Sequence, residues 1–331
     1  MKRRAFISLI GGVAAAPVLS LLAARAQPQP VPVVGYLGSA SPDAWAGRLQ
    51  AFRQGLSEAG FDEGRNVAIE FRWAEDHYDR LQALAADLVA HGVSVLVTPG
   101  SAPAALIAKA ATTTIPIVFE TGADPVAAGL VGSLSRPGGN ITGVTALAFE
   151  LGPKRLELLH EIVPSAKTVA TIVNPTGGDV ISRQTRDLQA AAQKLGLDLL
   201  VLEASTDADI DTAFAALRAR RPGGLVVIPD VFTNSRTTQL AAMALRAELA
   251  AIFQSRDFVS AGGLMSYGAD IAESHRLAGG YVGRILKGEK PADLPVMQAT
   301  KVELFINLKT AKMLGIGFPL SLLGRADEVI E

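Results

Sequence analysis

From Val33 onward, short β-branched runs alternate with stretches whose apolar residues recur at helical spacing. That alternation admits few architectures other than parallel sheets joined by crossover helices. Strands are predicted over 33–37, 66–73, 93–98, 115–120 and 141–145. Between them lie helices opened at Ser41 and Asp124 and helices near 81–89 and 103–111. The pattern then restarts, with strands over 168–173, 197–202, 224–228 and 251–253 and helices over 179–195, 210–220 and 237–249. Two tandem α/β series imply two lobes with a cleft between them. The tail holds one more helix over 272–286 and a strand and helix over 302–315, too little to bury a core of its own, so it is expected to complete the two existing sheets. The chain would then cross between lobes near 146–152, 260–267 and 298–301. This places 33–146 plus 268–298 in lobe 1, and 147–267 plus 299–331 in lobe 2.

Residues 1–26 carry no fold information and read as an export signal. Lys2, Arg3 and Arg4 precede an apolar run, and Ala24-Arg25-Ala26 gives a small-x-small cleavage pattern. Arg3-Arg4-x-Phe6-Ile7 resembles the twin-arginine motif, with Lys2 in place of the usual Ser or Thr. Without that segment 27 basic residues face 32 acidic ones, a formal charge near -5, and no basic stripe is present to hold a phosphate backbone. No nucleic-acid partner is expected. The chain has no Cys, hence neither disulfides nor a lipid-bearing cysteine, and its four His stand at no metal-ligand spacing. These features point to a freely diffusing periplasmic protein, with an uncleaved anchor as the alternative.

Enzyme motifs are missing. No G-x-G-x-x-G follows a strand, and there is no phosphate-binding G-x-x-x-x-G-K-[ST], no G-x-S-x-G and no H-E-x-x-H. No cofactor and no metal are expected. Ser101 alone suggests a nucleophile, but no His lies near a neighbouring strand end to act as its base. In open parallel sheets ligands sit at the carboxyl ends of strands, against the N-termini of the helices that follow. That rule selects the loops holding Ser39, Ser41, Thr98, Ser101, Thr121 and Asp124 in the first lobe and Asn174, Thr176 and Asp230 in the second. Free backbone N–H groups there suit a carboxylate, and Asp124 and Asp230, from opposite lobes, suit an ammonium group. Ser41 and Asp124 also fit helix caps. Tyr267 sits at an expected crossing, where a bulky side chain closes over a ligand or simply packs.

Val34-Gly35-Tyr36-Leu37, Phe52-Arg53-Gln54-Gly55-Leu56, Gly64-Arg65-Asn66-Val67, Thr121-Gly122-Ala123-Asp124-Pro125-Val126, Arg136-Pro137-Gly138-Gly139-Asn140-Ile141-Thr142-Gly143 and Met265-Ser266-Tyr267-Gly268 resemble the substrate-binding proteins of ABC importers, in the tryptophan/tyrosine-type group. The resemblance implies a periplasmic-binding-protein fold of the first type, with two Rossmann-like lobes and a three-stranded hinge. Such a protein acts as a monomer, closes on a small solute and delivers it to an ABC permease in the inner membrane. It implies binding positions at Ser39, Thr98, Ser101, Thr121, Asp124, Asn174, Asp230 and Tyr267. A sensor-kinase or chemoreceptor partner is the alternative use of the same fold, and a cleft hydrolase the next.

Overall fold

Continuous apolar runs need cover on both faces, and the chain provides it by building two sheets with helices on either side. The computed structural model describes residues 31–146 and 148–331; the expected export signal lies outside the described residues. The first series runs β1 (Val33–Gly38), α1 (Ala46–Glu58), β2 (Ala68–Trp73), α2 (Leu81–Ala90), β3 (Val95–Thr98), α3 (Ala102–Ala111), β4 (Ile117–Thr121) and β5 (Ile141–Thr145). The second runs α4 (Gly152–Ile162), β6 (Thr168–Val173), α5 (Gly178–Lys194), β7 (Asp198–Glu203), α6 (Asp207–Arg220), β8 (Gly224–Val227), α7 (Val231–Ser235), α8 (Thr237–Arg246), β9 (Ala251–Phe253), α9 (Arg256–Ser260) and β10 (Met265–Ala269). The tail adds α10 (Ile271–Leu286), β11 (Met297–Gln298), β12 (Val302–Asn307), α11 (Leu308–Leu314), α12 (Leu320–Leu323) and β13 (Glu328–Ile330).

The first sheet has the order β11-β5-β4-β3-β1-β2 and the second β13-β12-β10-β9-β8-β6-β7. All pairings in the first are parallel, with Tyr36 of β1 in register with Phe71 and Val97 on its two sides. In the second, β12 runs antiparallel to β10 and is joined by β13. Each sheet is buried on both faces: Leu37, Leu96 and Phe119 serve one face of the first, Val34, Tyr36 and Val97 the other. Helix α10 returns to the first sheet and packs its Ala278, Val282 and Ile285 against that second face, beside α1. The α/β fold in two parallel-sheet lobes is as the alternation predicts.

Local details differ from expectation. Asp124 does not open a helix: residues 125–129 form successive turns, because Gly129 at φ 75° and the glycines and prolines beyond it break the chain within one turn. Ser41 does not cap α1 directly, since the chain makes a turn over 42–45 first and the helix begins at Ala46. The second crossing lies later than 260–267. Tyr267 is inside β10, in the middle of the second sheet, and the chain leaves that sheet only after Ala269.

The crossings are fastened by a buried cation. Arg155 of α4, 1% exposed, donates from Nη2 to the carbonyl of Ala148 in the first crossing and from Nη1 to that of Tyr267 in β10, both at 3.1 Å. Burial pushes its guanidinium down to about 9.

Candidate functional site

The carboxyl ends of both sheets face each other. Loops after β1, β2 and β3 meet loops after β6 and β8, and between them lies a cavity of about 20 Å³ lined by Tyr78, Gly100, Ser101, Phe149, Gly177 and Asp230, among others. That volume admits about one water molecule. A groove of about 970 Å³ continues outward between the 123–128 turns of the first lobe and α5 of the second, and Phe149 and Val180 line both spaces.

Asp230 is the best-defined polar group in the cavity. It follows β8 and caps α7: Oδ1 accepts from the Thr233 N–H at 2.9 Å, and Oδ2 accepts from Asn174 Nδ2 at 2.7 Å. Asn174 is itself held by Thr176, whose N–H and hydroxyl both donate to its Oδ1. Burial raises the Asp230 carboxyl above the usual range, with the Asp76 charge adding to it across the cleft. Tyr78, from the first lobe, stands close enough to feel that carboxylate and the Val231 backbone.

On the first lobe's side Ser101 caps α3, its Oγ accepting from the Ala104 N–H at 3.2 Å, and Gly100 turns at φ 69° to place it there. Ser39 and Thr98, at the ends of β1 and β3, are 1% and 0% exposed, and their hydroxyls have no hydrogen-bond partner among the described residues. The Trp45 Nε1 is buried and unpartnered in the same way.

Of the residues selected from sequence, Ser101 and Asp230 line the inner cavity, and Asn174 and Thr176 support Asp230 from behind. Ser39 and Thr98 lie at neighbouring strand ends without lining it. Asp124 lines the outer groove, where its Oδ1 accepts from the N–H groups of Val126 and Ala127. Thr121 is spent on its own loop, accepting from the Ala123 N–H at 3.1 Å. Ser41 accepts weakly from the Ala44 N–H at 3.4 Å, and Tyr267 packs against the second lobe's core; neither lines the cavity or the groove. Gly177 belongs to the selected 174–177 loop, whereas Tyr78 and Phe149 were not selected from the sequence, and no motif marks them.

The seam is fastened at its lip on the β1 and β2 side. Asp76 Oδ2 accepts from Arg236 Nη1 at 2.7 Å and from the Ser235 hydroxyl at 2.9 Å, while Arg236 is held on its own lobe by Asp207. Asp76 reaches across because Glu75 and Asp76 both adopt left-handed backbone, at φ 55° and 66°, a conformation that costs a non-glycine residue energy. Trp45 of the first lobe packs with Val231 of the second just inside. A charge-assisted pair this sheltered contributes about 1–3 kcal/mol. Asp76→Ala is therefore expected to weaken the contact across this seam roughly fivefold or more. Small-angle scattering checks this; an unchanged radius of gyration would show that the seam does not depend on the pair.

The sequence model of the family described as "ABC transporter substrate binding protein" matches residues 37–330. A tyrosine-binding protein of Clostridioides difficile (strain R20291) is 30% identical over 267 residues, covering 80% of this chain and 75% of that protein. Among solved structures, an ABC domain in complex with L-Trp from Streptococcus pneumonia aligns with a TM-score of 0.80 at 26% identity, over 90% of this chain and 99% of the other. A ligand-free, open substrate-binding protein with adhesive properties from Clostridium difficile aligns with a TM-score of 0.63, also at 26% identity, over 91% and 99%.

Proposed function

This chain belongs to the family of ABC transporter substrate-binding proteins, a solute-binding and not an enzymatic family, and from that premise we propose that it captures an amino acid between its lobes and delivers it to an ABC permease. The observation that carries the proposal is the pairing of Ser101 and Asp230, from opposite lobes, on one cavity. Asp230 takes the solute's ammonium group. The N-terminus of α3 takes its carboxylate through the Ser101 hydroxyl and the Ala102 N–H, where the helix dipole favours an anion; Pro103 has no N–H, and those of Gly100 and Ala104 are already donated. Charge pairing at both ends, with the lobes excluding water, supplies about -8 kcal/mol at micromolar affinity.

The inner cavity is too small for an amino acid, so the solute enters when the lobes part, and binding draws them together again. Two observations support this: the contacts across the lip, and the higher similarity to the L-Trp complex (0.80) than to the open, ligand-free relative (0.63) at equal identity. The relatives bind tyrosine and tryptophan, and Phe149, between the cavity and the groove, gives an aromatic side chain a face to stack on. The three crossings between the sheets serve as the hinge, and the protein works as a monomer in the periplasm after export. Among the described residues no helix is long and apolar enough to cross a membrane.

Calorimetry on the chain from Val33 onward, with L-tyrosine, L-tryptophan and their decarboxylated and deaminated analogues, tests the proposal. Binding of an intact amino acid and at least tenfold weaker binding of both analogues is expected, one charged contact being worth more than 1.4 kcal/mol. Equal binding of the amine or the acid alone would overturn it.

A further inference from the structure

Glu120, at the end of β4, is 4% exposed and lies directly beneath the Gly100–Ser101 turn, where its Oε2 accepts from the Gly100 N–H at 2.8 Å. The groups around it come from three other elements: Tyr36 on β1, Arg48 on α1 and His275 on α10. His275, fully buried, settles what this carboxyl must be. Its Nδ1 lies 2.8 Å from the carbonyl oxygen of Ile271, which only accepts, so Nδ1 carries the hydrogen. In the neutral ring Nε2 is then a bare acceptor, and it has no hydrogen-bond partner among the described residues while facing Glu120 Oε2 at 3.7 Å. Two acceptors pointing at each other in a dry site repel unless one holds a proton. A charged imidazolium is disfavoured there by burial and by the Arg48 charge, which push His275 down to about 3. The proton therefore belongs to Glu120.

We propose that Glu120 is a positioning residue whose neutral form, beneath the Gly100–Ser101 turn with its proton toward His275, is the form that admits the solute, so that a cleft in which it is ionised takes up the solute's carboxylate together with a proton. This rests on the amino-acid reading above, in which the solute's carboxylate lies over that turn. An ionised Glu120 would place a negative charge beneath the incoming anion and set its oxygen against the His275 lone pair. Binding and protonation consequently favour each other, as linkage requires. Burial pushes the Glu120 carboxyl up to about 7, against the pull of Arg48 and the Gly100 N–H, so the proton exchanges in the working range.

The test is calorimetry of L-tyrosine or L-tryptophan binding in buffers of different ionisation heat at pH 6, 7 and 8. Expected is proton uptake that is small at pH 6 and several-fold larger at pH 7 and 8, with affinity falling roughly fivefold over that range. Glu120→Gln, whose amide oxygen still accepts from the Gly100 N–H, has no carboxyl to titrate and is neutral at every pH. It is expected to show no uptake at pH 8 and an affinity at pH 8 within twofold of that at pH 6. Should that variant fail to fold, the wild-type uptake decides, together with a protonated-carboxyl infrared band that disappears as pH rises through 7. Uptake equal in both proteins, or binding without uptake in the wild type, would overturn the inference and leave the amino-acid reading standing. Absence of any amino-acid binding would defeat that reading first.

Discussion

Gly55→Ala and Gly279→Ala are each expected to destabilise the protein by about 2–4 kcal/mol, although both put a better helix former into a helix. Propensity alone predicts a gain of about 1 kcal/mol for each change. Packing reverses the sign. A Cβ at Gly55 would fall on the carbonyl oxygen of Arg276, with the carbonyl carbon 2.7 Å away; one at Gly279 would fall on the carbonyl oxygen of Phe52, with the Leu56 nitrogen 2.8 Å away. These are backbone atoms of the facing helix and cannot rotate out of the way. Adding a methyl group forces α1 and α10 apart, and overpacking of this kind costs about 1–3 kcal/mol, more when the neighbour is rigid. The separation also strips cover from Tyr36, Phe52 and Val97, which α10 shields with Ala278 and Val282. Gly47, on the exposed face of α1 with nothing within 4 Å of its Cβ position, is the control: Gly47→Ala should stabilise by up to about 1 kcal/mol. Urea denaturation of the three variants measures the contrast; a Gly55→Ala protein as stable as the Gly47→Ala protein would refute the close contact.

The same two helices show what the sequence makes legible. Leu49, Phe52 and Leu56 announce the buried face of α1 by their spacing, but its partner lies more than 200 residues away and the need for Gly55 emerges only when α10 arrives. Strands with continuous apolar runs, such as Val95–Thr98 and Ala251–Phe253, are readable because burial on both faces leaves only apolar choices. Strand β10 is not, since Ser266, Gly268 and Ala269 look like a loop. Gly268 is small because a Cβ there would strike the Gln254 backbone of the neighbouring loop, and no local pattern announces that. Asp124-Pro125 has the composition of a helix start, yet Gly129 leaves no room for a second turn. At the cleft, Ser101 and Asp230 were visible because strand ends hold ligands whatever the sequence. Asp76 and Tyr78 were not, since a left-handed pair at Glu75 and Asp76 follows no turn rule that a sequence reader applies.

Asp230→Ala is expected to weaken amino-acid binding at least a hundredfold, and the cost to stability will exceed what a surface acid would show. The sequence alone suggests an exposed loop carboxylate whose removal costs less than about 1 kcal/mol. The structure places it 5% exposed, capping α7 through Thr233 and accepting from Asn174. Losing a cap costs about 1 kcal/mol and leaving Asn174 without its partner about 1–3 more. Asp230→Asn separates the two roles: its amide oxygen still accepts from the Thr233 N–H and keeps the cap, and only the Asn174 bond is lost, because Asn174 Oδ1 is held by Thr176 and its NH₂ stays turned toward residue 230. The ammonium partner, however, is gone. Binding should still fall tenfold to a hundredfold, because a neutral amide holds a cation far less well than a sheltered carboxylate. The pH dependence carries the same signature on the acid side. With its carboxyl raised by burial, Asp230 becomes protonated at a higher pH than an ordinary aspartate and can no longer pair with a cation, so affinity declines as pH falls through that raised value. Glu120 sets the opposite limb, declining above about 7. Titration calorimetry on the wild type and Asp230→Asn, from pH 4.5 to 8, should show a bell whose acid limb is absent from the variant. An acid limb that survives in Asp230→Asn would assign the ammonium site elsewhere in the cleft.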